Sequence, residues 1–549
     1  MITIPQRVRR NSSKFFTHNP FGEILGNTLL LSLIGLFNRS LTVVTQIVIA
    51  SRFGTSLQAD AYSATEIIPD LFIVLIGSGL SMAFIPHYDR FRTAANRSNR
   101  SKGIVQNQEQ RNFASAFILS ITLLFLGLTL LLFIGAPVVV SLLAPGFEGE
   151  ARTTTISLFR IMVLTLAFLG PEAGLRGLFH TYKEFATPDL SRFVYNLILL
   201  LSVIFFSDRL SIQSVGIGMV GGAAIMIGIQ MRRAFQLGIL EFKWRLYHPA
   251  ITEILRKTPA ILIVLAWPML LLAIDRSISS SLDAGNIAAL GYANRISMLP
   301  IGILVLPLIT VLYPEFSAMA NRANHTKMSE QIDAGLRMLI FIALPICVGI
   351  ITSRHEIVRL LFERGQFDAN ATLLTSNVLI FYIIAVPGFA MVFFLRGIYL
   401  SIEKAWSLCL ICLATWGCNI VLNLIFIRFW GVQGVTLATA LIAIITPLLM
   451  LYNLKEKHHL PIRIKTLLVA IAQMCLFALA MMWVFDQIIQ LGSKNWIELS
   501  TLRKLSLLAI GWLISLAFYL LSAWIFKVPE IRWVFNKLPF ANLNKKEER

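Results

Sequence analysis

Charge is what this chain has least of. Only 14% of its 549 residues are charged while 56% are hydrophobic, against roughly a quarter charged in soluble globular domains, and mean hydropathy is +0.73. A soluble globular fold is thereby excluded. Cysteine is also scarce. The five, Cys347, Cys409, Cys412, Cys418 and Cys475, all fall in apolar stretches, which excludes a disulfide framework. Cys409-x-x-Cys412 spells a redox pair, but such chemistry needs an accessible helix N-terminus, so both cysteines read as apolar filler. His87, His180 and His355 are dispersed, with no pairing at metal-ligand spacing. A P-loop, a hydrolase nucleophile elbow and a long acidic loop are missing too. The chain therefore reads as neither an enzyme nor an ATP-driven machine.

Acidic residues are outnumbered by basic ones, 29 to 48, for a net charge of +19. That excess would suit nucleic acid in amount, but its placement excludes nucleic acid as a partner. Arg7, Arg9, Arg10 and Lys14 precede the first apolar run; Arg90, Arg92, Arg97, Arg100 and Lys102 follow the second; Arg232, Arg233, Lys243 and Arg245 follow the sixth; Lys455, Lys457, Arg463 and Lys465 follow the twelfth. All lie on one side if the runs alternate across a bilayer, and the opposite loops around Thr55, Gly149, Asp208 and Asp283 are poorer in Lys and Arg. The positive-inside rule then places both termini in the cytoplasm. The loop around Lys494, Arg503 and Lys504 runs against this pattern. The N-terminal basic stretch leads directly into a full-length apolar run without a cleavage pattern, so no separate signal peptide is expected.

What is abundant is apolar runs of membrane-spanning length. About 20 apolar residues cross a bilayer, and the sequence holds about fourteen such runs, from one around Phe37 to one around Ile514. The fold class expected is an all-α polytopic membrane protein with about fourteen transmembrane helices. The two halves echo each other: Leu175-Arg176-Gly177-Leu178-Phe179 recurs as Leu395-Arg396-Gly397-Ile398-Tyr399, and Phe84-Ile85-Pro86-His87-Tyr88 as Leu312-Tyr313-Pro314-Glu315-Phe316. This reads as two six-helix repeats, residues 1–245 and 246–457, followed by an appended pair of helices with a basic tail, 458–549. Repeats with an even number of spans are parallel, and transporters so built place substrate between the halves. The long polar loop from Arg90 to Arg111 reads as a solvated segment drawn to anionic membrane lipids.

Against that apolar background each intramembrane polar residue stands out. Arg39 lies inside the otherwise uncharged run from Leu25 to Ala50, and Arg295 recurs in the corresponding helix of the other half. An arginine at a helix centre costs roughly 2.5–3.5 kcal/mol on insertion scales, so one that remains faces a water-filled cavity or an anionic partner. Asp60, Glu66 and Asp70 lie in the second run, with Asp60 placed either to cap a helix N-terminus or to oppose Arg39 or serve ion coupling. Asp275 sits beside Arg276 in the seventh run. Asn419 and Asn423 stack at i,i+4, as do Val435 and Thr439. Oxygen donors of this kind hold a small cation or make ordinary interhelical hydrogen bonds. Gly216-Ile217-Gly218-Met219-Val220-Gly221 matches a dinucleotide fingerprint in spelling, but lies within an apolar run where that motif needs a preceding strand. Gly218 and Gly222 instead give the spacing that lets helices approach closely.

Several strings together resemble the MurJ (MviN) family of the multidrug/oligosaccharidyl-lipid/polysaccharide exporter superfamily. They include Asn38-Arg39, Phe53-Gly54-Thr55 through Asp60-Ala61-Tyr62, Leu142-Leu143-Ala144-Pro145-Gly146-Phe147, Tyr292-Ala293-Asn294-Arg295, Pro314-Glu315-Phe316-Ser317 and Leu361-Phe362-Glu363-Arg364-Gly365-Gln366-Phe367. The resemblance implies a fourteen-helix flippase that moves lipid II, the undecaprenyl-diphosphate-linked peptidoglycan precursor, from the cytoplasmic to the periplasmic leaflet of the bacterial inner membrane. It implies a cationic substrate site, with Arg39, Asp60 and Arg295 at matching charged positions, and a sodium site at Asp275, Asn419, Asn423, Val435 and Thr439. It also implies cell-wall synthesis proteins as partners. Guanidinium groups suit such a substrate because they bind phosphate with bidentate geometry. The chain departs from the family after Pro69, where Asp70-Leu71-Phe72 stands in place of an arginine pair, and at Thr45, which replaces a second arginine. The alternatives are a flippase for another lipid-linked oligosaccharide, such as an O-antigen or exopolysaccharide unit, a cation-coupled drug exporter, and a scaffold for cell-wall assembly.

Overall fold

The computed structural model describes residues 20–75, 108–182, 184–239, 259–305, 325–492 and 500–531, with 84, 88, 249, 309, 316, 318 and 319. The basic clusters before the first span and after the second, and the terminal tail, lie outside the described residues. Among the described residues there is no strand. The reason is solvent: with no water in the hydrocarbon core, a single chain segment satisfies its own backbone only as a helix. Ten helices among the described residues are long and apolar enough to cross a membrane, so the protein is an all-α, multi-span membrane protein.

The helices are α1 (Pro20–Phe53), α2 (Leu57–Val74), α3 (Gln108–Ile134), α4 (Ala136–Leu143), α5 (Gly149–Val163), α6 (Leu166–Thr181), α7 (Ala186–Leu210) and α8 (Gln213–Gln236). They continue as α9 (Pro259–Ser279), α10 (Asn286–Pro300) running into a π-turn at Ile301–Val305, α11 (His325–Thr352), α12 (Arg354–Phe362), α13 (Ala369–Ser401), α14 (Ala405–Glu456), α15 (Ile464–Gly492) and α16 (Thr501–Ile525). At 52 residues α14 is far longer than one crossing, and it turns at Gly431, whose φ of 53° and ψ of −135° interrupt the helix. No atom lies near the place a Cβ would take there. The glycine is therefore required by the backbone conformation, which L side chains avoid. The two sides of this turn are the eleventh and twelfth apolar runs.

Contacts divide the chain into two compact units: residues 1–52, 68–137 and 156–258 form one, and residues 53–67, 138–155 and 259–549 the other. In the first, α7 packs on α8 and α3 on α6. Gly218 and Gly222 make the α7 contact close, since a Cβ on them would meet Ser202 Cβ at 2.7 Å and the Tyr195 carbonyl oxygen at 2.8 Å; the glycine spacing serves packing. In the second unit α14 packs against α9 and α13, α10 against α13, and α15 and α16 against each other with α15 also on α11. The segments 53–67 and 138–155 are built into this unit: Ala64, Ala144 and Ile287 form one buried cluster, and the Gly146 N–H donates to Ser280 Oγ at 2.9 Å. Cys409 and Cys412 are buried, unpaired thiols.

Candidate functional site

Two consecutive residues of α9 organise the polar interior of the second unit. Asp275 and Arg276 are both buried, at 0% and 2% exposure, and successive helix positions point in different directions. Arg276 reaches α2, where its Nη1 lies 3.1 Å from Glu66 Oε1 and also donates to the Ser63 carbonyl. Asp275 faces α13 and α14.

Around Glu66 three helices converge. Its second oxygen, Oε2, accepts from Arg295 Nη2 of α10, and Tyr62 OH lies 3.5 Å from the same guanidinium nitrogen. Glu66 is nearly buried, with 5% of its side chain exposed, and Arg276 likewise at 3%, whereas Arg295 retains 26%. A carboxylate held by two guanidinium groups makes the desolvated charges affordable only because each is paired and hydrogen-bonded. Arg295 is the member of the cluster that is accessible.

Arg295 is placed by the start of its helix. The N-cap of α10 is Gly285, which has no side chain to cap with, at φ 97°. A Cβ there would stand 2.5 Å from the Thr55 carbonyl oxygen. The missing cap comes from α2: Asp60 Oδ2 accepts from the Gly285 N–H and Oδ1 from the Ala288 N–H, each at 2.6 Å. Asp60 therefore caps a helix N-terminus, but that of α10 and not of its own helix. It is 2% exposed. Farther along α10, Tyr292 OH donates to the Gly54 carbonyl at 2.9 Å, and its ring packs on Phe362 and Phe367. The strings around Gly54, Asp60, Tyr292 and Phe367 thus converge on one helix, the one that carries Arg295.

The Asp275 group is assembled from three helices, with α14 contributing residues from both sides of its turn at Gly431. Thr439 Oγ1 lies 2.8 and 2.7 Å from the two carboxylate oxygens, Asn423 Nδ2 donates to Oδ1 at 2.9 Å, and Tyr382 OH donates to Oδ2 at 3.4 Å. Asn419 Nδ2 donates to Thr439 Oγ1 at 3.1 Å, and its Oδ1 accepts from Asn423 at 3.2 Å. Val435 is buried one turn before Thr439. Four of the five residues expected to hold a cation are thus joined by hydrogen bonds. Among the described residues Asp275 has no ion-pair partner, and Asn423 Oδ1 is buried without a hydrogen bond. Groups of three or more His, Cys, Asp or Glu residues placed to hold a metal are not found among the described residues, so any cation there would rely on neutral oxygens beside one carboxylate.

Arg39 belongs to the first unit, exposed on α1. The preceding residue ties that helix down, Asn38 Nδ2 donating to the Asp189 carbonyl on α7 at 3.0 Å. In the same unit Glu172, 1% exposed, accepts from Arg176 Nε at 2.8 Å and lies 3.7 Å from Arg192. Thr45 turns its hydroxyl onto the Leu41 carbonyl, 2.8 Å away. Reading the sequence found the residues around Asp275 from their i,i+4 spacing but missed Tyr382, and missed that Arg276 is the partner of Glu66. Arg276 carried the same signal as Arg39, a guanidinium inside an apolar run.

The sequence model of the family described as lipid II flippase MurJ matches residues 49–507. The lipid II flippase MurJ of Burkholderia cenocepacia is 25% identical over 448 residues, covering 79% of this chain and 83% of its own. That of Thermosipho africanus is 25% identical over 450 residues, covering 81% and 90%. Among solved structures, a lipid II flippase MurJ in an inward closed conformation superposes with TM-score 0.73 at 24% identity, covering 91% of this chain and 98% of that one. An inward-facing multidrug resistance transporter of the MATE family superposes with TM-score 0.63 at 13% identity, covering 75% and 92%.

Proposed function

Because the chain belongs to the lipid II flippase MurJ family, we propose that it moves lipid II from the cytoplasmic to the periplasmic leaflet by alternating access, as a transporter and not a catalyst. The observation that carries this reading is the pairing of the buried Glu66 carboxylate with two guanidinium groups, one of which, Arg295, stays accessible inside the membrane. A diphosphate is the anion that such a group binds with two parallel hydrogen bonds. Substrate then competes with Glu66 for Arg295, while the buried Arg276 stays paired with Glu66 when Arg295 turns away. Arg39 is the substrate-binding cation of the first unit. Asp60 serves the substrate through α10, since its carboxylate is committed to the Gly285 and Ala288 amides. The bacterial inner membrane, with both termini cytoplasmic, is the location this requires. Two six-helix halves, 1–245 and 246–457, with 458–549 appended, and contact with cell-wall synthesis proteins complete the proposal.

A sodium ion is the proposed coupling ion. The donor set fits it: Asp275 supplies the only charge, and the unsatisfied Asn423 Oδ1 is an oxygen to spare beside Asn419, Thr439 and the Val435 backbone. Bound there, the ion would offset the desolvated carboxylate. Asp275 and Arg276 are adjacent on α9, so a shift of one residue is felt by the other, which links the ion group to the Glu66–Arg295 pair.

Complementation of cells depleted of their lipid II flippase tests the function. The wild-type chain is expected to restore growth and lipid II externalisation, and Arg295→Ala to abolish both. Failure of the well-expressed wild type removes lipid II as the substrate. Rescue by Arg295→Ala removes the arginine from substrate binding.

A further inference from the structure

Beyond the substrate pathway, the second unit holds a cavity of about 550 Å³ at the ends of α11 and α15, closed on a third side by α16. That volume is within the roughly 300–1,000 Å³ that holds a small organic ligand. Arg354 and Asp486 both line it, yet among the described residues no ion pair joins them. Arg354 Nη1 donates to the Ile351 carbonyl at 3.0 Å and its Nε is buried without a partner. Among the described residues Asp486 accepts only from its own helix, from Gln490 Nε2 at 2.7 Å. Burial and the adjacent Arg354 hold His355 below the usual imidazole value, so at neutral pH Arg354 is the cation of this wall.

A cation and a carboxylate that face one cavity without pairing are complemented by a ligand carrying the same two charges in the opposite order. Thr352, Ser353, His355 and Glu356 complete the polar wall around Arg354, while apart from Asp486 the lining from α15 and α16 is apolar and continues onto the outside of the bundle. Leu479 is 63% exposed and Trp483 65%, with Met482 between them on α15. Tryptophan next to charged residues near a helix end marks the membrane–water interface. The ligand is therefore one whose zwitterionic part sits at that interface and whose remainder lies in the hydrocarbon.

We propose that this cavity binds a phosphatidylethanolamine molecule of the surrounding bilayer, its phosphate on Arg354, its ammonium on Asp486 and its acyl chains along Leu479, Met482 and Trp483. The site is separate from the Glu66–Arg295 group and does not depend on the flippase reading. It gives the appended helices α15 and α16 a lipid shared with α11 and α12.

Native mass spectrometry of the purified full-length chain, delipidated and then titrated with phosphatidylethanolamine, phosphatidylglycerol or undecaprenyl phosphate, tests this. The wild type is expected to hold phosphatidylethanolamine about tenfold more tightly than phosphatidylglycerol, the margin of one charge-assisted contact. Arg354→Gln should weaken both phospholipids about tenfold, whereas Asp486→Asn should weaken phosphatidylethanolamine alone and erase the preference. Asp486→Lys should reverse it, and reads the site even if Arg354→Gln does not fold. Equal binding of the two phospholipids by the wild type, a preference that survives Asp486→Asn and Asp486→Lys, or displacement of phosphatidylethanolamine by undecaprenyl phosphate would overturn the proposal.

Discussion

Replacing Asp60 by alanine separates two roles for this residue, contact with substrate and support of the helix that carries Arg295. The carboxylate satisfies two backbone N–H groups at the start of α10, each at 2.6 Å and in a site only 2% exposed. Gly285 has no side chain to take over, and water reaches the position poorly. A lost N-cap costs about 0.5–2 kcal/mol, and a buried donor left without its partner about 1–3 kcal/mol. Two donors lost together, less the desolvation recovered from the carboxylate, put the cost at about 2–4 kcal/mol. That cost is local, so it appears as opening of the first turn of α10, and hydrogen–deuterium exchange of peptides spanning residues 283–292 should quicken roughly 30- to 700-fold. Asp60→Ser, which keeps one acceptor, should fall between alanine and wild type. Transport should fall with the cap, since Arg295 lies ten residues along the same helix, about 15 Å from Gly285. Unchanged exchange in Asp60→Ala together with abolished transport would refute the reasoning, because the carboxylate would then be acting on substrate and not on α10.

Glu66→Gln removes the only carboxylate among the described residues that pairs with the buried Arg276, which should cost about 3–5 kcal/mol and lower the apparent Tm in detergent. Arg295→Gln should lose flippase rescue with a much smaller loss of thermal stability, and equal Tm values for the two variants would contradict the assigned pairing. Thr439→Val deletes the donor that lies closest to Asp275; it should cost about 1–3 kcal/mol and abolish any rise in Tm on exchanging choline chloride for sodium chloride. Gly431→Ala forces a side chain into a backbone region close to glycine-only, at about 1–3 kcal/mol, read as lower expression and Tm, with Gly228→Ala in the helical interior of α8 as the control that should be neutral or better.

Much of the architecture was legible because its causes are local. Run lengths named the spans, including the two that meet at Gly431 inside α14, since bilayer thickness sets the length of an apolar helix. The group at Asp275 was legible for a related reason: Asn419 with Asn423 on one side of the turn, and Thr439 on the other, are polar side chains in helical runs otherwise apolar all round. Tyr382 was not, because a lone tyrosine in an apolar run is an ordinary core or interface residue until its neighbour is known. Glu66 was visible as an anomaly but its partners were not. In a membrane the outward face of a helix is as apolar as the inward one, so periodicity does not reveal which face meets which helix.

By itself the sequence determined that this chain is a multi-span helical membrane protein, and that Arg39, Asp60, Glu66, Asp275, Arg276 and Arg295 lie where charge is expensive. Both follow from transfer free energies of short segments, which need no knowledge of contacts. Only the tertiary structure decided which partners the buried charges meet. Asp60 meets Gly285 across 225 residues and Glu66 meets Arg295 across 229, and such pairings depend on which helices pack together. A capping carboxylate and a substrate-facing one cost the same to bury and look the same in the chain. They differ in the partner, and the partner is supplied by the fold.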